Sequence, residues 1–325
     1  MIAFVFPGQG SQQVGMGKEL SERFAVCRET LAEADDALGQ SLTTLCFEGP
    51  EDALTLTENT QPAVLAVSVA AHRLLVSRGI TPDIVAGHSL GEYTAHVAAG
   101  TISFADALRT VRRRGRYMQE AVPVGAGAMA AVLGLDEDAI ATACADTVAA
   151  TGEIVCPANL NAPGQVVIAG TREGVARAAD RAKELGARRV MPLPVSAPFH
   201  CPLMKPAEER LEQDLRGLVV SDPTIPVVAN VDAEPKRDAS AAIDALLRQV
   251  SAPVRWESVI RRIVSSGVDA FVEVGPGKVL TGLIKKIERG VPVTNVQSAG
   301  DIERAQQLVA DSVNPDRHIA AGGHA

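Results

Sequence analysis

Val85-Ala-Gly-His-Ser-Leu-Gly-Glu-Tyr-Thr94 sets a short apolar run, Ile84-Ala86, against a helical pattern that stops at Gly100, with Gly87-His-Ser-Leu-Gly91 between them. A Gly-x-Ser-x-Gly between strand and helix is the context of a nucleophile elbow, where a strained turn lifts one hydroxyl above the end of a sheet. The glycines have a mechanical reason to be there. A turn this tight brings neighbouring backbone too close for a Cβ and demands unusual dihedral angles. A serine in front of a helix can also be a plain N-cap, so the rest of the chain has to support the reading.

Working outward, strand Ile2-Phe6, helix Thr60-Ser77, strand Ile84-Ala86, helix Leu90-Ala99 and helix Phe104-Val122 alternate in the manner of a parallel sheet covered by helices. Between Gly125 and Leu193 the pattern becomes strand 128–133, helix 136–149, strand 154–159, strand 165–169, helix 172–185 and strand 188–193. That order, βαββαβ, is the ferredoxin-like one. The first texture then resumes with helix 202–215, strands 226–230 and 270–274, and helix 279–287. The expectation is an α/β fold: a hydrolase-like large domain, residues 1–124 and 194–300, with a parallel sheet and an elbow. A small ferredoxin-like domain, 125–193, is inserted into it, and residues 301–325 form a C-terminal extension that frays from Asn314.

Composition removes several classes of function. A net charge of −8 and 3% aromatic residues argue against nucleic acid, which needs a basic surface and stacking rings. No stretch approaches the roughly 18 consecutive apolar residues of a membrane span, and the N-terminus has no basic n-region, so a soluble cytoplasmic protein is expected. Cys27, Cys46, Cys144, Cys156 and Cys201 are scattered without a C-x-x-C pair, which reads as reduced thiols and no metal site.

A serine hydroxyl needs a base. His318 and His324 lie in the tail, His72 and His96 sit inside helices, and His88 adjoins the serine on a turn that points it elsewhere. His200 ends the loop Pro194-Val-Ser-Ala-Pro-Phe-His and enters the helix starting near Pro202, whose dipole disfavours an imidazolium. It is the candidate base. The turn Phe6-Pro-Gly-Gln-Gly-Ser-Gln12 fails as a phosphate loop, since Gln stands at position 13 and Met at position 16. It suits an oxyanion hole, to which Gln9 could belong. On helix 104–122 the apolar stripe puts Arg114 about 70° from its centre and Arg113 nearly opposite, so Arg114 is placed at the edge of the core, with Gly115 thinning the helix beside it. A guanidinium there suits a carboxylate.

Gly8-Gln-Gly-Ser-Gln12, Gly87-His-Ser-Leu-Gly-Glu-Tyr93, Arg114-Gly-Arg-Tyr-Met-Gln119, Asn161-Ala-Pro-Gly-Gln165, Pro198-Phe-His200 and Gly275-Pro-Gly-Lys278 follow one another in order. With these motifs the chain resembles the malonyl-CoA:acyl carrier protein transacylases over roughly residues 1 to 297. The resemblance implies that Ser89 accepts malonyl from coenzyme A and that His200 is its base. It also implies an oxyanion hole from Gln9 and the Leu90 backbone N–H, a malonyl carboxylate held by Arg114, and His200 oriented by the backbone carbonyl of Gln249. Phe199 would disfavour an α-methyl group. The implied partners are malonyl-CoA and the phosphopantetheine form of acyl carrier protein, with no tightly bound cofactor. Arg113, Arg116, Lys285, Lys286 and Arg289 are candidates for a positive patch that docks an acidic carrier. Two alternatives stand beside this: an esterase or thioesterase using water as acceptor, and a carrier-binding subunit without chemistry.

Overall fold

The computed structural model describes residues 1–195 and 197–313. From the N-terminus, strand β1 (Ile2–Phe6) leads through helices α1 (Lys18–Arg23), α2 (Ala25–Leu38), α3 (Leu42–Glu48), α4 (Glu51–Thr55) and α5 (Thr57–Ser77) to strand β2 (Ile84–Gly87). Helices α6 (Leu90–Ala98) and α7 (Phe104–Glu120) follow. Next come β3 (Gly127–Leu133), α8 (Glu137–Thr151), β4 (Val155–Ala162), β5 (Gln165–Thr171), α9 (Arg172–Glu184) and β6 (Arg189–Pro192). After a short 3-10 turn at Pro202–Met204, the chain makes α10 (Lys205–Arg216), β7 (Val227–Val228), β8 (Pro235–Lys236) and α11 (Ala239–Gln249). It ends with α12 (Trp256–Ser265), β9 (Ala270–Val274), α13 (Val279–Ile287), β10 (Val293–Val296) and α14 (Asp301–Val313).

The expected α/β class is the one adopted. Six strands form one sheet in the order β10-β9-β1-β2-β7-β8, parallel except for β8, while β4-β5-β3-β6 form a separate antiparallel sheet. Period-2 alternation divides the main sheet's side chains. Phe4, Phe6, Val85 and Val272 share a core with α2, α5, α6 and α7, whereas Ala3, Val5, Ile84 and Phe271 share one with α12 and α13. The second sheet also has two faces: Val132, Val166 and Ile168 pack on α8 and α9, and Met129, Ala131, Val167 and Ala169 join the core around α7. Met129 and Asn159 of the second sheet line one cavity with the turns after β1 and β2, at the carboxyl ends where a parallel sheet places its ligands.

Several boundaries move. β7 holds only two residues of the expected strand 226–230, because the chain leaves the sheet at Asn230 to bond the elbow. Pro202 starts a 3-10 turn and α10 starts at Lys205, so the helix near His200 begins later than expected. Within the expected C-terminal extension, residues 301–313 form α14, with Ile302 and Ala305 buried in the main core. The tail expected to fray from Asn314, with His318 and His324, lies outside the described residues. The proposed docking cations do not form one patch either. Arg113 and Arg116 sit on α7, paired with Asp214 and Glu58, while Lys285, Lys286 and Arg289 belong to α13 and its exit on the opposite side of the main sheet. Among the described residues no helix is long and apolar enough to cross a membrane.

Candidate active site

β1 and β2 pair in register with Phe6 opposite Gly87, so the two turns that follow them lie side by side. A Cβ on Gly87 would stand 1.9 Å from the Gly91 carbonyl carbon, and one on Gly91 would stand 2.1 Å from the Phe6 carbonyl oxygen. Those contacts are what the two glycines permit: α6 springs directly off the end of β2 with backbone touching backbone. Ser89 between them has φ 53° and ψ −106°. Among the described residues only Ser89, His200 and Ala233 have positive φ without being glycine, and two of these three meet at one point.

Ser89 does not cap α6 with its side chain. Its Oγ lies 2.7 Å from His200 Nε2 and accepts a hydrogen bond of 3.1 Å from Arg114 Nη2. His200 Nδ1 is 2.9 Å from the Gln249 backbone oxygen, an arrangement that fixes Nδ1 as the donor and leaves Nε2 as the acceptor facing the hydroxyl. Burial first, and the Arg114 charge second, push the imidazole down to about 3. These causes, more than the dipole of a helix that starts five residues later, keep the ring neutral. A neutral ring is the form that can take a proton.

Arg114 is only 2% exposed. It reaches the site because α7 lies against the start of α5 at Gly115, where a Cβ would be 2.6 Å from the Thr57 carbonyl oxygen. Burial opposes its charge while Tyr93 and Glu92 favour it, and a guanidinium stays charged in either case. Its Nη1 donates to Gln61 Oε1 at 2.7 Å and its Nη2 to Gln249 Oε1 at 2.9 Å. Both acceptors are neutral amides. The guanidinium is thus held in place with its charge uncancelled by any bonded carboxylate.

Two more side chains hold the elbow. Asn230 Oδ1 accepts from the Ser89 N–H at 2.7 Å and its Nδ2 donates to the Gly87 carbonyl at 2.7 Å, while Gln249 Nε2 donates to the Ser89 carbonyl at 2.9 Å. Both peptide groups flanking the strained serine are fixed from outside. Above them opens a cavity of 330 Å³ lined by Gln9, Gln61, Ser89, Leu90, Arg114, Met118, Met129, Phe199 and His200, among others. Gln9 is at its exposed rim, with Nε2 donating to Thr57 Oγ1 at 3.3 Å. Leu90 is the first residue of α6, whose opening N–H groups have no partner within the helix.

The structure therefore brings Ser89, His200, Arg114, Gln9, Leu90, Phe199 and Gln249 to one place. His88 is turned away, with Nε2 at 2.9 Å from Asn161 Oδ1 and its ring against Trp256. His72 and His96 are packing residues. The sequence reading missed Gln61, Glu92, Asn230 and the side chain of Gln249. A buried polar residue inside an apolar helix (Gln61, Gln249) and a polar residue just past a parallel strand (Asn230) were the available signals. Among the described residues no group of His, Cys, Asp and Glu is arranged to hold a metal ion.

Comparison with known proteins gives this geometry a family. The model of the acyl transferase domain matches residues 3–318. The chain belongs to the acyl transferase family. Within that family it is 49% identical over 310 residues to the malonyl CoA-acyl carrier protein transacylase of Bacillus subtilis, covering 95% of this chain and 98% of that protein. The fold superposes with a TM-score of 0.91 on an acyl carrier protein S-malonyltransferase of Vibrio cholerae, 49% identical, covering 93% of this chain and 99% of that one. A solved complex of a type II PKS acyl-carrier protein with its malonyl-transacylase matches with a TM-score of 0.92 at 48% identity, covering 94% of this chain and 99% of that one.

Proposed function

We propose that this acyl transferase carries a malonyl group from malonyl-CoA to the phosphopantetheine thiol of acyl carrier protein, through an ester on Ser89. It would supply extender units for fatty acid or polyketide synthesis. One observation carries the reading: the Ser89 hydroxyl is in hydrogen-bond contact with both the His200 imidazole and the Arg114 guanidinium. The first contact makes a nucleophile. The second sets a cation beside the nucleophile, where it can receive a carboxylate carried by the acyl group.

In the first half-reaction His200 Nε2 takes the hydroxyl proton as Ser89 Oγ attacks the thioester carbonyl. The oxyanion forms toward the Gln9 and Leu90 backbone N–H groups, and its collapse expels coenzyme A, which leaves with the proton from His200. In the second, the phosphopantetheine thiol gives its proton to His200 and attacks the malonyl-serine ester, returning the proton to Oγ. Gln249 stands where an acid would stand in a triad, through its backbone carbonyl. Phe199, 8% exposed at the cavity wall, is placed to crowd an α-substituent. The scheme uses the coenzyme A thioester as substrate and calls for no tightly bound cofactor. Residues 125–193 act as an inserted domain that roofs the site, and a cytoplasmic location suits the soluble thioester and carrier.

Purified protein given malonyl-CoA with and without holo-carrier tests the reading. Malonyl-carrier is the expected product, with little free malonate when the carrier is left out. Malonate released at the same rate in both tubes would instead make the protein a hydrolase.

A further inference from the structure

The bonds that hold the site converge on a side chain the reaction scheme does not use. Glu92, in the first turn of α6, is completely buried beneath the nucleophile. Its Oε2 accepts from the Asn230 backbone N–H at 2.9 Å and from Gln249 Nε2 at 2.9 Å. Asn230 grips the amide side of Ser89, and Gln249 grips its carbonyl side. One carboxylate oxygen thus ties together the two segments that clamp the elbow.

The Gln249 amide has a forced orientation. Its NH2 faces two acceptors, the Ser89 carbonyl and Glu92 Oε2, while its oxygen faces the Arg114 guanidinium. Turned over, it would set its oxygen against both acceptors and its NH2 against a cation. This amide also stands between Glu92 and Arg114. It gives the guanidinium a neutral bonded partner and keeps the carboxylate from closing on it as an ion pair. We propose that Glu92 is a positioning residue that, through Gln249, holds Arg114 in line with Ser89 and open to the substrate carboxylate. This rests on the malonyl-transfer reading above.

An acceptor oxygen at this point, more than a negative charge, is what the geometry uses. Burial pushes the Glu92 carboxyl up to about 7, against the opposing hydrogen bonds from Gln249 and Asn230, so both protonation forms occur near neutrality. Glu92→Gln resembles the protonated form and keeps the oxygen in reach. Glu92→Asp keeps the charge but withdraws the carboxyl by about 1.5 Å, one carbon-carbon bond.

The test is kcat/KM for acyl-enzyme formation with malonyl-CoA and with acetyl-CoA, in the wild type and both variants, with thermal unfolding recorded alongside. The ratio of the two substrates isolates Arg114, because any disturbance of Ser89 or His200 affects both. Glu92→Gln is expected to keep the malonyl preference within about threefold of wild type, and Glu92→Asp to lower it about tenfold or more while still melting cooperatively. Glu92→Ser is the second short variant should the aspartate form not fold. An unchanged ratio in the short variant, equal losses with both substrates, or a lost preference in Glu92→Gln would overturn the proposal alone. A wild type with no malonyl preference would bring down the malonyl reading together with it.

Discussion

The candidate active site has two halves of different origin. The elbow half, Gly87 to Gly91 with Ser89 at its apex, is made by local geometry: two glycines, one strand end and one helix start within a few residues. The cradle half, Arg114 with Gln61 and Gln249, is assembled from α5, α7 and α11, which are distant in sequence and meet only through packing. In the proposed reaction the first half presents the Ser89 hydroxyl to His200, and the second half gives selectivity by burying a cation among neutral amides. Changes to the elbow should therefore damage folding or all acyl transfer alike, and changes to the cradle should separate one substrate from another.

The largest effect expected is that of Gly87→Ala. A methyl group 1.9 Å from backbone cannot be absorbed by a flexible side chain, so the variant should lose more than about 4 kcal/mol or fail to fold, as denaturant unfolding will record. A stable Gly87→Ala protein would mean that the elbow is looser than its close contacts require. Next comes Arg114→Ala. Loss of the partner for a desolvated carboxylate should cost malonyl transfer about 2 to 5 kcal/mol in kcat/KM while sparing acetyl transfer. Equal losses with both substrates would erase the distinction between the halves.

Gln61→Leu sharpens the comparison at lower cost. It removes one neutral acceptor from Arg114 Nη1, and a hydrogen bond to a charged group is worth about 1.5 to 3 kcal/mol, so the malonyl-to-acetyl ratio should fall by about tenfold to a hundredfold. Steady-state kinetics with both thioesters reads it directly. The smallest effect expected is that of mild acid. The His200 pKa is lowered from 6.5 to about 3, so the ring stays neutral as pH falls through 6.5, and no acid limb belonging to it should appear in the rate of Ser89 acylation between pH 7 and 5. A limb near 6.5 would mean that water reaches the imidazole.

These two halves also explain what could be read from the sequence. Gly-x-Ser-x-Gly, the histidine-bearing loop and an arginine beside an apolar stripe are local patterns, and they single out Ser89, His200 and Arg114 from sequence alone. The exact ends of β7 were not legible, because the Asn230 side chain that follows it bonds the distant elbow, and the split helix after His200 turns on one local bond, Met204 N–H to the Cys201 carbonyl, that leaves no periodic signal. The amide cradle left no periodic trace. Gln61 and Gln249 look like polar interruptions in apolar helices until folding sets both against one guanidinium. The docking patch failed for a related reason, since a list of exposed cations carries no information about which side of the sheet each helix covers.

The central claim is that Ser89 takes up the acyl group. Intact-protein mass spectrometry after brief mixing with malonyl-CoA measures it most directly. The account predicts a gain of one malonyl group in the wild type and none in Ser89→Ala. An unmodified wild type, or a serine-less variant that still gains the group, would contradict it.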